Sequence, residues 1–294
     1  MAKKEEVTNI PTKDEQSAPI PTEQSSQALT RVQQDVRDVA AQDGNASLAD
    51  LLVEDAGLGF ANMGANDFAI PFVSILQKGS PQVSRANAKY IKGAEQGMIM
   101  NTVTMDVYPG EPGVLYVPCG YSKSIVEWVS RDKGGGLVAH HKEGDKILKE
   151  CSRNDRGQLV HKDTGNVFVD TAYHFGLLLH DDAYPEMAIV SMYSTGLKVS
   201  RTWNTMMRNI IIDVGGKKFN PPTYAYKYRL STIGMTRDSY DWFSYKVVSE
   251  GRVEDVELYK IAREFSKQVE CGNVRISAPP QDADPVSDPD SVPF

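Results

Sequence analysis

The sequence predicts a mainly β fold of the α+β kind, on three observations. Strand-like runs punctuated by Pro and Gly fill residues 97–193. The hydrophobic period then switches once to that of a helix, over 197–211. Two more strand-like runs, 223–233 and 241–248, and an amphipathic stretch at 253–269 complete the body. A five-stranded Greek-key barrel of the OB type carries its helix between the third and fourth strands. The expectation is therefore an OB-like Greek-key barrel with a helix before the last two strands and a C-terminal helix. An α+β sheet with different pairing shares that order.

Residues 1–67 read as an acidic, largely disordered arm, with 5 Lys/Arg against 12 Asp/Glu. They hold too little apolar surface to offset the entropy of ordering. A short helix is expected at 47–54, with Ser47 as N-cap, Asp50 as its capping-box partner and Gly57 or Gly59 as the stop. The domain proper, 68–275, opens on IPFVSIL at 70–76. Strands follow in 97–108 and 114–129, on either side of the Pro-Gly-Glu-Pro-Gly turn at 109–113. Lys133-Gly134-Gly135-Gly136 reads as a loop, and 140–165 as an exposed hairpin or insertion. Strand patterns resume at 167–169, 173–179 and 187–193.

The helix places Leu197, Val199, Trp203, Met206, Met207, Ile210 and Ile211 on one face. Ser194 or Thr195 is its cap, and Gly215-Gly216 its expected end. The last helix buries Val256, Leu258, Ile261, Ala262, Phe265 and Val269, and stops at Cys271-Gly272. Residues 276–294 form an acidic tail too rich in Pro and Asp to fold.

The whole chain of 294 residues has a net charge of −7. That sum hides a mildly basic body, because 68–275 holds 27 Lys/Arg against 23 Asp/Glu. No run approaches the ~18–20 apolar residues of a membrane span. The N-terminal residues lack the apolar core of a secretory signal. Three widely spaced cysteines, Cys119, Cys151 and Cys271, suggest no disulfide framework and point to a reducing cytoplasm.

The strand at 223–233 carries the candidate site. Alternation puts Tyr224, Tyr226, Tyr228 and Leu230 on one face and Ala225, Lys227, Arg229 and Ser231 on the other. In the next strand Phe243, Tyr245 and Val247 oppose Trp242, Ser244 and Lys246. The simplest pairing buries the Tyr/Leu and Phe/Tyr/Val faces. Lys227, Arg229 and Lys246 then stand outside beside an exposed Trp242, giving a single nucleic-acid strand phosphate neutralisation and a stacking ring. The other registration turns the tyrosines outward as the platform. Lys198 and Arg201 on the helix add cations, and Trp203 reads as core.

Catalytic groupings are sparse. His140, His141, Cys151 and His161 lack the paired spacing of a zinc site. Asp181, Asp182 and Glu186 are magnesium candidates, though Asp-Asp-Ala-Tyr-Pro reads more simply as a turn. Gly215-Gly216-Lys217-Lys218 lacks the pattern of a phosphate loop. The reading is a binding protein that is not an enzyme and needs no cofactor.

A resemblance sharpens it. Asp282, Asp284, Asp288 and Asp290, followed by Ser291-Val292-Pro293-Phe294, resemble the tail of bacterial and phage single-stranded DNA-binding proteins. The 70–83 segment and the Tyr-x-Tyr-x-Tyr-Arg-Leu-Ser strand are similar to phage replication-module proteins. The resemblance implies single-stranded DNA as partner. It also implies that Asp288, Asp290, Val292, Pro293 and Phe294 bind replication or recombination proteins and compete with DNA for the basic body. A homo-oligomer is compatible with these features, and a membrane partner is not expected. The rival expectations are a phage assembly or virion protein and a metal-dependent nucleic-acid enzyme built on the 181–186 acids.

Overall fold

The computed structural model describes residues 48–55, 58–59, 69–130, 133–155, 157–180, 184–237, 240–274 and 276. The chain divides into two units, Met1–Asn62 and Met63–Phe294. In the first, α1 (Leu48–Glu54) is the expected short helix, and its proposed cap, Ser47, lies outside the described residues. The remainder of the arm through residue 47 and the acidic tail from 277 also lie outside them.

The second unit is mainly β, a curled half-barrel sheet with few helices. Its strands are β1 (Phe72–Ile75), β2 (Ile99–Asn101), β3 (Val107–Tyr108), β4 (Val114–Trp128), β5 (Leu137–His141), β6 (Cys151–Arg153), β7 (Leu159–His161), β8 (Val167–Leu179) and β9 (Glu186–Tyr193). Then come helix α2 (Gly196–Arg208), a ribbon of β10 (Ile212–Val214) and β11 (Lys217–Phe219), β12 (Tyr226–Arg237), β13 (Tyr240–Arg252) and helix α3 (Val256–Glu270). The main sheet runs β13-β12-β4-β8-β9-β1-β2-β3, with β5 on β4, β7 on β8 and β6 on β7. β1 lies parallel to β9, and the other pairs are antiparallel.

The centre of the sheet is covered on both sides, which explains its composition. Tyr116, Ala172, Leu178, Val190, Trp203, Tyr228, Leu230 and Tyr245 form the inner core under α2. Val117, Cys119, Tyr173, Phe175, Leu177 and Ile189 pack on the other side against Ala262 and Phe265 of α3. A strand buried on both faces reads as a near-continuous apolar run, as at Phe175-Gly176-Leu177-Leu178-Leu179. The Tyr116 hydroxyl shares its one proton between two carbonyls, His174 O at 2.8 Å and Ala188 O at 2.9 Å. Gly120 lets α3 approach, since a Cβ there would stand 2.7 Å from a Val269 methyl.

The edge of β13 is tied to the start of the domain. The Gln77 amide donates to Phe243 O and accepts from Phe243 N, both at 2.9 Å, as a neighbouring strand would. The Tyr245 hydroxyl donates to Val73 O at 2.7 Å.

Several boundaries differ from the sequence expectation. The patterns at 167–169 and 173–179 are one strand, β8, because 170–172 pair with Ile125, Ser124 and Lys123 of β4 without a break. Helix α2 stops at Arg208, before Ile210 and Ile211. Gly215-Gly216 is therefore a hairpin turn, with φ of +60° and +81°, rather than the end of the helix. β12 begins at Tyr226, because Thr223–Ala225 forms a 3-10 turn. Helix α3 begins at Val256 rather than 253, and the Asp255 side chain caps it, accepting from Glu257 N at 2.8 Å. β13 runs past the expected end at 248, through Gly251, to Arg252.

Candidate nucleic-acid interface

Register decides which face of the β12–β13 hairpin is free. Leu230 stands opposite Val247, Ser231 opposite Lys246, Ile233 opposite Ser244, and Met235 opposite Trp242. Opposite residues share a face. Tyr228, Leu230 and Tyr245 therefore point inward together, and all three are buried. This is the simpler of the two registrations, and the tyrosines do not turn outward.

That placement corrects three candidate contacts. Tyr228 is fully buried, its ring edge-on to Trp203 with centroids 5.6 Å apart, so it has no face to offer a base. Burial raises its phenol pKa to about 12, which keeps it neutral. Tyr226 is half-buried and packs against the same core. Tyr224 is outside the strand, its ring edge-on to Tyr259 of α3 at 5.2 Å. Trp203 is core, as expected, and stacks on His174 at 4.3 Å.

The outer face carries Arg229, Ser231, Ile233, Met235 and Arg237 from β12, with Val248, Lys246, Ser244, Trp242 and Tyr240 from β13. Ile233 (47% exposed), Met235 (41%), Tyr240 (43%) and Val248 (45%) are large apolar or aromatic groups in the open. Trp242 is half-buried rather than exposed, because Met235 stands directly across from it. Its indole Nε1 is buried and meets no acceptor among the described residues. Lys246 is exposed and has no ion partner among the described residues. Arg229 is different: its Nε donates to Glu250 Oε1 at 2.7 Å, so its charge is already balanced. Lys227 lies in the register shift between Tyr226 and Tyr228, half-buried.

Sequence reasoning missed Ile233, Met235, Arg237 and Tyr240 as members of this face. Carrying the alternation from Lys227, Arg229 and Ser231 two steps further would have found Ile233 and Met235. An expected end at 233 leaves Met235 and Arg237 outside the strand, whereas β12 runs on to Arg237. The turn residues Asp238 and Ser239 lie outside the described residues.

Lys198 and Arg201 stand exposed on α2, on the face away from Trp203 and with Thr202, Thr205, Met206 and Asn209. They form a second basic surface on a separate element. The suspected metal groups disperse. His140 pairs with Ser124 Oγ at 3.2 Å and His141 with Glu127 at 2.8 Å. His161 meets Glu150 at 3.2 Å, and the Cys151 thiol donates to Ile147 O. Among the described residues no three His, Cys, Asp or Glu side chains are grouped to hold a metal ion. Asp181 and Asp182 lie outside the described residues, and Glu186 is held by Asn101 at 2.8 Å and His180 at 3.3 Å. No helix among the described residues is long and apolar enough to cross a membrane.

Neither the curated proteins nor the solved structures contain a match to this chain. One sequence family does match, over residues 41–275, which takes in α1, α2, α3 and every strand described above and leaves out the acidic tail. On that match, the chain belongs to the family described as Pam3 phage gp34-like protein.

Proposed function

We propose that this chain is a phage single-stranded DNA-binding protein that holds its strand on the outer face of the β12–β13 hairpin, without reading sequence. The observation that carries the proposal is the interleaving of that face. Exposed Ile233, Met235 and Tyr240 and half-buried Trp242 alternate with the cation of Lys246. Base stacking on such groups tolerates any sequence, and the lysine neutralises phosphate. The phage family and the basic body support the reading.

The order of elements supports the finer fold assignment. Taken as the five strands of an OB barrel, β4, β8 and β9 form the meander, α2 follows the third strand, and β12 returns to pair with β4 before β13. In this reading β1, with Gln77 and Tyr245, fills the gap between β9 and β13. The tail recruits replication or recombination proteins through Asp288, Asp290, Val292, Pro293 and Phe294, and lies over the basic face between encounters. The protein works in the host cytoplasm and needs no cofactor.

Fluorescence anisotropy of a labelled oligo-dT across a salt series tests the proposal, with full-length protein and the 282–294 deletion. Salt-sensitive binding that tightens on deletion is expected. Absence of binding by either form would overturn it. The exposed apolar residues on the hairpin also favour an assembly protein, whose sheet edge meets another copy. Stable particles with no DNA affinity would identify that alternative.

A further inference from the structure

A second surface has the chemistry of a nucleotide site, on a different side of the molecule. β4 carries a register shift between Pro118 and Gly120, where proline has no N–H to give to the ladder. The shift places Tyr121 at a groove of about 290 Å³, between β4, the end of α2 and the 220–223 link into β12. Tyr121, Asn204, Arg208 and Asn220 line it over a floor that includes Met207. Tyr121 is 47% exposed, yet its ring is held edge-on to His174 at 5.2 Å. His174 is itself fixed by stacking on Trp203 and by Ser200 Oγ at 2.8 Å from its Nε2. The ring is thus pre-positioned with an open surface.

Arg208 is exposed at the last turn of α2 and has no ion partner among the described residues. A helix C-terminus ordinarily repels anions through its free carbonyls. Here the two N–H groups of the Asn220 amide are shared among three of them, with Nδ2 at 3.2 Å from Met207 O and from Arg208 O and 2.8 Å from Ile210 O. The volume lies just under the ~300–1,000 Å³ of drug-sized ligand sites, which suits one small planar group with a charged neighbour.

We propose that this groove receives one nucleotide of a bound single strand, its base on Tyr121, its phosphate on Arg208 and a polar edge on the Asn204 amide. The inference rests on the single-strand reading above and extends it. The link from Thr223 leads within four residues to Lys227 at the start of β12.

The test is ultraviolet cross-linking of full-length protein to oligo-dT, with mass spectrometry of the peptides, alongside anisotropy of point variants. Thymine on the peptide carrying Tyr121 is expected. Tyr121→Ala should weaken binding about 5- to 150-fold, the range for one lost stacking contact. Tyr121→Phe should keep wild-type affinity. Wild-type affinity in Tyr121→Ala, with Trp242→Ala weakened, overturns the groove and leaves the hairpin standing. An oligo-dT that does not bind the wild type at all overturns both. Should Tyr121→Ala fail to fold, cross-links confined to the hairpin peptides overturn the groove.

Discussion

Two parts of one side of the same sheet contrast sharply. Over β4 and β8 the face is sealed by α3, with Phe265 and Ala262 pressed on Phe175 and Leu177. Over the far half of β12 and β13, by contrast, Ile233, Met235 and Tyr240 stand in the open. Both parts carry large apolar groups. In the sealed part they follow one another without charge, because nothing there meets water. In the open part Arg229, Lys246 and Arg237 come between them, which keeps the face soluble while leaving flat apolar surface for a ligand. The difference teaches that apolarity alone does not separate the sealed face from the open one here; interleaved cations do.

The largest expected effect breaks the sealed side. Phe265→Ala should lower stability by about 3–5 kcal/mol, the usual cost of emptying a buried phenyl site, while folded molecules keep their DNA affinity. Urea titrations and anisotropy on the same preparation would check it, and an affinity loss without a stability loss would put α3 in the binding site instead.

Next comes acid sensitivity on the inner face of the sealed sheet. Burial lowers the His174 pKa from 6.5 to about 3. Below pH 6.5 the unfolded chain takes up a proton that the folded chain refuses until about pH 3. This contribution is therefore complete above pH 6.5 and falls with pH across that window, by about 1.4 kcal/mol per unit. His174→Gln should flatten this limb of the stability curve, read from urea midpoints between pH 7 and about 4; an unchanged slope would show that other groups carry it.

A smaller effect sharpens the open side. Trp242→Ala should reduce oligo-dT affinity by about 1–3 kcal/mol with little change in salt slope, and affinity equal to wild type would take the indole out of the site. The smallest effects separate two cations. Lys246→Ala should reduce the salt slope by about 0.7, one single-strand phosphate contact. Arg229→Ala should leave it nearly unchanged, because Glu250 already holds that guanidinium. Equal slope losses in the two variants would mean that DNA displaces Glu250.

Much of the fold was legible because its signals are local. An apolar run at 187–193 and period 2 in 223–233 marked strands, and period 3.6 in 253–269 marked a helix. Errors gathered where a local signal has two uses. Gly215-Gly216 serves a hairpin turn as well as a helix stop, since both need positive φ. The tyrosine row 224, 226, 228 was visible, but its burial depended on partners far away in the chain, Trp203 and Tyr259.

The sequence by itself determined the mainly β class, the place of α2 before the last hairpin and the C-terminal amphipathic helix, because side-chain period and volume act within a few residues. Only the tertiary structure decided that α3 seals β4 and β8, that Glu250 neutralises Arg229 and that the bulge in β4 aims Tyr121 into a groove. Those outcomes depend on long-range register, which no local pattern encodes.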